Sequence, residues 1–503
     1  MTQLQDRHVL VLGLGDSGLA MARWCAREGA RVTVADTRAE PPHLATLRAE
    51  LPQVKFIAGE FGEQLLEGIQ AVFRSPGLTP AQGAPVLDAA RARGIDVGGE
   101  LSLFADALAQ LQSAQGHSPA LVAVTGTNGK TTVTSLTGQL VERSGRTVAV
   151  AGNIGPTLLD TLAARIDSGA LPQVWVIELS SFQLETAGNF EPTVATVLNV
   201  TQDHLDWHGT MDAYALAKSR VFGPSGVMVL NREDPLVMQM LPERVRLKGG
   251  KFGQRAHVTF GGDMPRSPGD FGIEVVNGMA WLVRALEADE TRRSRKDEAE
   301  ELHFQRLMPA DALRVRGRHN AVNALAALAL ATAAGCQLGP MLYGLREYRG
   351  EPHRVQPVGI VNGIEYFDDS KGTNVGATVA ALHGLGATRK VVVILGGDGK
   401  GQDFSPLADP VSRHARAAVL IGRDGPRIRA VLEPTEVPLV DAASMEEAVK
   451  IATQRARAGD AVLMSPACAS FDMFRNYPHR AEVFCAAVQA IADEAGVMME
   501  VQA

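Results

Sequence analysis

Residues 125–132, TGTNGKTT, place two glycines, several hydroxyl side chains and one lysine directly after an apolar run. Successive backbone N–H groups in such a loop can surround the β- and γ-phosphates of a nucleotide, and Lys130 can reach their oxygens. The hydroxyl of Thr131 has the position of a Mg²⁺ ligand. Val124 stands where a standard P-loop has glycine, and no NKxD guanine signature is present, which argues against a GTPase. The segment therefore predicts a loop that binds the phosphates of ATP.

A second glycine-rich loop, Gly13–Gly18 (GLGDSG), follows an apolar run near the start of the chain, and Asp36 lies about twenty residues further on. Glycines at this spacing let the backbone approach a diphosphate at a helix N-terminus. Taken alone, the loop suggests an NAD-dependent dehydrogenase, and a tight turn without a ligand is the alternative. Two nucleotide-type loops favour a ligase that acts on a nucleotide-linked substrate, because a dehydrogenase has no use for the loop around Lys130.

Polar side chains stand at the ends of two further apolar runs. Glu178 begins the segment ELSSFQLE, where a carboxylate beside the phosphate loop suits Mg²⁺, with a helix cap as the alternative. His204 lies in NVTQDHLD and could bind a second metal ion or touch the transferred phosphate, whereas a lone histidine more often has only a structural role. Lys218 follows fourteen residues later and by itself suggests a surface lysine on a helix.

The C-terminal third of the chain holds four loops rich in charged and small polar residues. They are PHR (352–354), DDSKGTN (368–374), GGDGKG (396–401) and SPACASFD (465–472). Arginine and lysine on loops that follow strands are suited to bind phosphate or carboxylate groups. Each loop alone is ordinary, but four of them in one block predict a bound anionic ligand.

Short β-branched runs alternate with helix-like stretches, which predicts parallel sheets that position these loops. The N-terminal part is predicted to hold strands at His8–Leu12 and Arg31–Ala35, a helix over Ser17–Glu28 and a polar linker over Gln112–Pro119. Further predicted elements are strands at Ala120–Val124, Thr147–Val150, Val174–Ile177, Val194–Val200, Lys390–Leu395 and Ala461–Met464, and helices from about Thr131 and over Ala321–Ala334. The charged run Glu287–Glu301 has no apolar period and indicates a solvated loop or insertion.

The composition excludes several classes of protein. A chain of 503 residues with 46% hydrophobic residues can form roughly two to four packed domains. The net charge of −7 argues against broad nucleic-acid binding. The four cysteines lie far apart without a CxxC pair, which indicates reduced thiols. No apolar run reaches about 18 residues and no signal peptide is recognised, so we expect a soluble, cytoplasmic protein without membrane insertion.

Eight motifs are similar, in chain order, to those of the Mur ligases of peptidoglycan synthesis. They are TGTNGKTT, ELSSFQLE, NVTQDHLD, GRHNAVNALAA, EPHR, DDSKGTN, GGDGKGQDF and SPACASFDMF. The resemblance runs from Gly13 to about Phe484, nearly the whole chain. It implies an α/β fold with three domains: a Rossmann-like UDP-binding domain (1–110), a central P-loop ATPase-type domain (111–350) and a Rossmann-like C-terminal domain that receives an amino acid (351–503).

The resemblance also implies roles for the matching residues. It assigns ATP to Gly126, Thr127, Asn128, Gly129, Lys130, Thr131, Thr132, Asn320, Asn323, Arg354 and Asp369. It assigns the UDP-linked substrate to Gly15, Asp16, Ser17, Asp36, Thr37, Ser75, Gly77 and Asn153. It assigns the incoming amino acid to Thr373, Lys400, Ser470, Phe471 and Tyr477. Mg²⁺ would be held by Thr131, Glu178, His204 and Lys218, the last as a carbamate, and the catalytic residues would be Lys130, His204 and Lys218.

The chemistry implied by the resemblance is ATP-dependent formation of an amide bond. The substrates would be UDP-N-acetylmuramoyl-L-alanine and D-glutamate, joined through an acyl phosphate with release of ADP and phosphate. ATP and Mg²⁺ would be the cofactors, and a monomer is expected. Two alternatives stay open: addition of a different amino acid by the same chemistry, and a nucleotide-dependent binding protein without catalysis.

Overall fold

The computed structural model describes residues 4–246, 252–288, 302–315 and 317–499 of the chain. Its strands form sheets of five, nine and six strands and a two-stranded ribbon, and helices pack on the sheets. This arrangement confirms the predicted α/β class. Most of the charged run Glu287–Glu301 lies outside the described residues, so its predicted loop is not described.

The N-terminal sheet is built from five parallel strands. They are β1 (His8–Leu12), β2 (Arg31–Asp36), β3 (Lys55–Ala58), β4 (Ala71–Arg74) and β5 (Asp96–Gly98), in the order β3-β2-β1-β4-β5. The helices of this part are α1 (Asp16–Arg27), α2 (Leu44–Glu50), α3 (Pro80–Ala92) and α4 (Glu100–Gln115). The predicted linker Gln112–Pro119 is wrong in its first half, because α4 continues to Gln115 and ends at Gly116, whose φ of 70° is the left-handed conformation that ends many helices.

The central sheet is parallel except for an antiparallel extension at one edge. Its first five strands are β6 (Ala120–Thr125), β7 (Val148–Gly152), β8 (Val174–Glu178), β9 (Val194–Val197) and β10 (Val227–Asn231). The separate two-stranded ribbon follows in the chain, with β11 (Val245–Arg246) and β12 (Phe252–Gly253). The last four strands of the central sheet are β13 (His257–Phe260), β14 (Phe271–Val276), β15 (Met279–Glu287) and β16 (Leu302–Pro309). The order is β16-β15-β14-β13-β10-β9-β6-β8-β7; β14 pairs parallel with β13, and the β14–β15 and β15–β16 pairs are antiparallel. The predicted strand Val194–Val200 ends at Val197, because the chain turns there to bond with the phosphate loop.

The helices of the central part surround this sheet. They are α5 (Lys130–Arg143), α6 (Leu158–Asp167), α7 (Ser181–Leu184), α8 (Leu205–His208), α9 (Met211–Ser219), α10 (Pro235–Met238), α11 (Arg318–Ala333) and α12 (Leu338–Glu347). The helix α11 is apolar around most of its surface, and residues 324–331 are all buried in the core beside α5. A helix that is apolar all round belongs in a core, which explains why no polar face is seen in its sequence.

The C-terminal sheet has six strands, of which only the edge strand is antiparallel. They are β17 (Gln356–Val361), β18 (Ile364–Asp368), β19 (Val391–Gly396), β20 (Ala415–Ile421), β21 (Leu439–Asp441) and β22 (Ala461–Met464), in the order β17-β18-β22-β19-β20-β21. The helices here are α13 (Val375–Gly386), α14 (Ala408–His414), α15 (Gly425–Leu432), α16 (Met445–Arg455) and α17 (Tyr477–Glu494).

The cores show how the three parts are joined. One cluster of buried side chains runs from the N-terminal sheet into the central sheet, whereas the C-terminal sheet has its own two clusters. Loops of the C-terminal part contact the central part through polar side chains, which form hydrogen bonds with residues of the phosphate loop. The predicted boundary at residue 110 falls inside α4, and the three sets of domain limits stay a prediction. Among the described residues, no helix combines the length and the apolarity that crossing a membrane requires.

Candidate active site

The phosphate loop lies between β6 and α5, which begins at Lys130. Gly126 and Gly129 have φ values of 155° and 82°, where other residues are rarely found. A Cβ on Gly126 would lie 2.9 Å from Cβ of Leu198, and a Cβ on Gly129 would lie 2.9 Å from Oδ1 of Asn323. Both glycines are therefore needed for this turn, and the unpaired N–H groups at the start of α5 give it the character of an anion site.

The side chain of Lys130 folds back over the loop. Its Nζ donates hydrogen bonds to the carbonyl oxygens of Gly126 (2.8 Å) and Thr127 (2.9 Å). Burial lowers the pKa of Lys130, and the carboxylate of Glu178 opposes that effect. The amine therefore lies within the loop that is predicted to surround the phosphates.

Lys218 is buried rather than exposed, so the interpretation as a surface lysine is wrong. Only 1% of the residue is exposed, and its Nζ donates to the carbonyl oxygen of Gly126 at 2.9 Å and lies 4.4 Å from the centroid of the Tyr214 ring. Burial holds the pKa of Lys218 well below its ordinary value, and the charge of Lys130 acts in the same direction. A neutral amine is the form that reacts with CO₂, so this environment fits the carbamate that the resemblance implies.

Glu178 is the last residue of β8, and its carboxylate is buried. Its Oε1 accepts a hydrogen bond from Nδ2 of Asn153 at 2.7 Å, whereas its Oε2 accepts none from the described residues. A buried carboxylate oxygen without a donor is costly unless a cation or ligand pairs with it. The following helix α7 is capped by the side chain of Ser180, so the helix-cap interpretation of Glu178 is wrong.

His204 lies in the loop between β9 and α8, with a φ of 53° that is uncommon outside glycine. Its ring packs edge-on against Phe182 at a centroid distance of 4.9 Å, and its Nε2 lies 3.6 Å from Oδ2 of Asp203. Burial lowers the pKa of His204 although Asp203 acts against it. The neutral imidazole that results is the form that binds metal ions.

The possible cation ligands around the phosphate loop are of mixed type. Within the described ranges, no three histidine, cysteine, aspartate or glutamate side chains are grouped so as to hold a metal ion. The candidates here are a hydroxyl, a carboxylate, an imidazole and a lysine, from Thr131, Glu178, His204 and Lys218. A carbamate on Lys218 would add the second anionic oxygen ligand that suits Mg²⁺.

Two loops of the C-terminal part contact the phosphate loop. Nη2 of Arg354 donates to Oγ1 of Thr131 at 2.7 Å, and Nδ2 of Asn374 donates to Oδ1 of Asn128 at 3.0 Å. A cavity of about 290 Å³ lies beside these contacts. Its lining includes seven of the residues assigned to ATP, namely Asn128, Gly129, Thr132, Asn320, Asn323, Arg354 and Asp369. The fold thus brings together side chains that lie more than 200 residues apart in the chain.

Lys371 belongs to the same cavity but was missed among the predicted site residues. Burial and the charge of Arg354 lower the pKa of Lys371 to about 8, and its Nζ lies 3.9 Å from the centroid of the Tyr477 ring. The carbonyl oxygen of Tyr477 accepts a hydrogen bond from Oγ of Ser370 at 2.7 Å, which ties α17 to this loop. Lys371 stands in the motif DDSKGTN, two residues before Thr373, and this position could have identified it from the sequence.

Among the other residues predicted to receive the amino acid, Thr373 lies on the loop after β18, whereas Lys400, Ser470 and Phe471 lie on loops after β19 and β22. A bridge between Asp398 and Ala469 holds these two loops side by side. Lys400 is exposed with a φ of 49°, and Ser470 is buried. Phe471 is 70% exposed, so it lies at the rim rather than inside the loop pair.

The N-terminal glycine-rich loop is held by a carboxylate and by close packing. The Oδ2 of Asp36 accepts a hydrogen bond from the N–H of Leu14 at 2.7 Å, and a Cβ on Gly18 would lie 1.9 Å from the carbonyl oxygen of Gly13. Gly15 and Asp16 stand at the start of α1, Thr37 follows β2, and Ser75 and Gly77 follow β4, so all lie at one edge of the sheet.

The hydroxyl of Ser17 is already engaged by another residue. Its Oγ donates to Oε2 of the buried Glu100 at 2.7 Å. A hydroxyl that donates to a carboxylate cannot donate to a phosphate at the same time. The backbone N–H of Ser17 is then the donor left for a diphosphate at the helix N-terminus.

Asp369 is expected to make stability depend on pH. Burial raises the pKa of the Asp369 carboxyl to about 7, above the ordinary value of 3.8, although Ser465 donates to it at 2.6 Å. Between about pH 4 and pH 7 the folded chain therefore holds a proton that the unfolded chain has released, so the free energy of unfolding falls as the pH rises through this window. The change is on the order of 4 kcal/mol, at 1.36 kcal/mol per pKa unit.

Denaturant unfolding of the nucleotide-free protein across this window measures the effect. Asp369→Asn cannot ionise, so the dependence on pH should be shallower in the variant than in the wild type. Equal slopes for the two proteins would contradict the assigned pKa.

Sequence comparisons agree with this arrangement along the chain. The family model of the MurD-like N-terminal domain matches residues 7–99, that of the Mur ligase middle domain matches 124–331, and that of the glutamate ligase domain matches 353–468. The three matched domains together define a nucleotide-dependent ligase, and the chain belongs to the Mur ligase family. The first glycine-rich loop is therefore part of a ligase, and the dehydrogenase interpretation is wrong.

Its curated relatives include proteins named UDP-N-acetylmuramoylalanine--D-glutamate ligase. The one from Albidiferax ferrireducens is 68% identical over 502 residues and covers 99% of each chain. The one from Cupriavidus pinatubonensis is 57% identical over 511 residues and also covers 99% of each chain.

Two solved structures of ligases have a fold similar to that of this chain. The MurF ligase from Thermotoga maritima in complex with ADP has a TM-score of 0.57 at 15% identity, covering 98% of this chain and 100% of that one. The UDP-N-acetylmuramate-alanine ligase MurC from the same organism has a TM-score of 0.54 at 20% identity, with coverage of 96% and 99%.

Proposed function

We propose that the chain joins D-glutamate to UDP-N-acetylmuramoyl-L-alanine with hydrolysis of ATP to ADP and phosphate. A carboxylate oxygen of the alanine end attacks the γ-phosphorus, the bond to ADP breaks, and an acyl phosphate forms. The amine of D-glutamate then attacks the carbonyl carbon and loses a proton, and phosphate leaves as the amide forms. The relatives at 57–68% identity carry the name of this reaction.

One observation carries the proposal: three cationic side chains from two domains meet around the phosphate loop. Lys130 lies inside the loop, Arg354 donates to Thr131, and Lys371 lines the adjoining cavity. Phosphoryl transfer depends on positioning and on stabilising charge at the phosphoryl oxygens, which is what such side chains supply. The proposed ATP site comprises these residues and the others assigned to it above.

The residues near the loop also fit Mg²⁺. Two observations favour it: the Oε2 of Glu178 accepts no hydrogen bond from the described residues, and the amine of Lys218 is buried. Thr131, Glu178, His204 and a carbamate of Lys218 would hold the ion, which would supply positive charge beside the phosphates.

The proposed site is divided between domains. The UDP-linked substrate would lie against the Gly13–Gly18 loop with Asn153 near its reactive end, and D-glutamate would lie against Thr373, Lys400 and Ser470. Bringing the C-terminal part onto the phosphate loop excludes water, which would otherwise hydrolyse the acyl phosphate. We place this reaction in the cytoplasm and assign it to a monomer.

A panel of amino acids tests the proposal. Phosphate release is measured with ATP, Mg²⁺ and the UDP-linked acceptor, adding L-alanine, D-glutamate, diaminopimelate or D-alanyl-D-alanine in turn. We expect release with D-glutamate alone, because a ligase discriminates through the contacts of its third substrate. Release with another amino acid would show that the chain is a different member of the family. ATP binding without any product would show that it is a binding protein.

A further inference from the structure

Arg74 links the substrate side of the molecule to the loop that carries His204. It is the last residue of β4, directly before Ser75, and only 5% of its side chain is exposed. Its Nη2 donates to Oε2 of Glu185 at 2.8 Å and to the carbonyl oxygen of Phe182 at 3.3 Å. An arginine of the N-terminal sheet is thus buried against the segment that follows Glu178 in the central part.

Glu185 contacts Trp207 as well as Arg74. Its second oxygen, Oε1, accepts a hydrogen bond from Nε1 of Trp207 at 3.0 Å. The guanidinium carbon of Arg74 lies 5.8 Å from the centroid of the Trp207 ring. The carboxylate therefore holds a cation with one oxygen and an indole N–H with the other.

Trp207 and Phe182 in turn pack around His204. The ring centroids of Phe182 lie 4.2 Å from that of Trp207 and 4.9 Å from that of His204. The backbone N–H of Trp207 donates to the carbonyl oxygen of His204 at 3.1 Å. His204 has a positive φ, a conformation that persists only when surrounding contacts enforce it.

We propose that Arg74 is a positioning residue that couples the substrate loop Arg74–Gly77 to the loop bearing His204. The inference rests on the proposed function, because it assigns no new reaction. Its physical basis is that Arg74 and Glu185 are a largely buried ion pair, and without Arg74 the carboxylate keeps only the more distant ring of His208, whose Nδ1 lies 3.7 Å from Oε1. Glu185 then no longer holds Trp207, and the packing that fixes His204 loosens.

The test uses conservative variants of the full chain. Arg74→Lys keeps the charge but loses the planar fork, Glu185→Gln keeps the shape but loses the charge, and Trp207→Phe keeps the packing but loses the N–H donor. Arg27→Lys is the matched control, since Arg27 bonds Asp167 at 2.7 Å across the same pair of domains, away from His204. Circular dichroism confirms that each variant folds.

We expect kcat to fall by about tenfold or more in Arg74→Lys and Glu185→Gln, as for residues that orient metal ligands. The KM for ATP should stay close to the wild-type value, and Arg27→Lys should behave as wild type. The double variant should be no worse than either single variant, because both break one contact. A lower melting temperature with unchanged kcat, or fully multiplicative losses, would overturn the proposal.

A second readout separates this inference from the proposed function. Mn²⁺ binding in the presence of ATP, followed by electron paramagnetic resonance, needs no turnover and no amino acid. Weaker binding in Arg74→Lys but not in Arg27→Lys would support positioning of His204 even if the D-glutamate assay failed. Equal Mn²⁺ affinity in all variants would overturn it even if the D-glutamate assay succeeded.

Discussion

Replacing Lys130 with alanine is expected to lower kcat/KM for ligation by at least about 10³-fold. The Nζ of Lys130 lies within the phosphate loop, and the charge on the phosphoryl oxygens must be stabilised as they separate from ADP. Alanine should keep the helix α5 intact, because it has the highest helix propensity and Lys130 is only the first residue of α5. Phosphate release in the D-glutamate assay measures the loss.

The same substitution at Lys450 is the matched control. Lys450 is an exposed lysine within α16 and lies on none of the loops of the proposed site. We expect Lys450→Ala to retain wild-type activity, and Lys130→Ala to lose ATP binding as well as turnover. Comparable activity of the two variants would show that Lys130 does not bind the phosphates.

Replacing Lys218 with alanine is expected to lower kcat by at least about 100-fold, more than is typical for residues that only support a metal ligand. The physical reason is that a buried amine with a strongly lowered pKa can form a carbamate, which would supply two oxygens beside Glu178 and His204. Addition of acetate or formate should restore part of the activity, because the shortened side chain leaves room for a small carboxylate. Phosphate release with and without the added acid measures the rescue.

Lys130→Ala controls for this rescue within the same site. Its missing group is a cation, so no carboxylate should restore its activity. Full activity of Lys218→Ala without any added acid would falsify the carbamate, and rescue of both variants would show a nonspecific effect of the acids. Labelling with ¹³CO₂ provides a direct check, since a carbamate carbon should appear in the wild type and be absent from Lys218→Ala.

Much of the site follows from a property of parallel sheets that is visible in the chain order of the motifs. The phosphate loop and Glu178 each follow an apolar run of β-branched residues, and those runs form the neighbouring strands β6 and β8. Loops after parallel strands meet at one edge of a sheet, so motifs about 50 residues apart in sequence become neighbours. The bounds of β1, β6, β8 and β22 were predicted to within about a residue for the same reason, since buried parallel strands are continuous apolar runs.

Other features depended on contacts between distant segments. Lys218 lies in a short helix whose sequence looks ordinary, and only the approach of the phosphate loop buries it. The hydroxyl of Ser17 is committed to Glu100, which is 83 residues away. No local sequence pattern predicts either contact, because burial and hydrogen-bond partners depend on which elements pack together.

By itself, the sequence determined the α/β class, the family and the identity of the groups that can do chemistry: a lysine within a glycine turn, a strand-end carboxylate and four loops that suit anions. These follow from local rules of backbone conformation and from the periodicity of apolar residues. Only the tertiary structure decided which of these groups are buried, paired or neutral. Examples are the amine of Lys218, the Glu178 oxygen that accepts no hydrogen bond from the described part of the chain, and the ion pair of Arg74. The reason is that desolvation and charge pairing depend on the distance between side chains in space, which spacing along the chain does not encode.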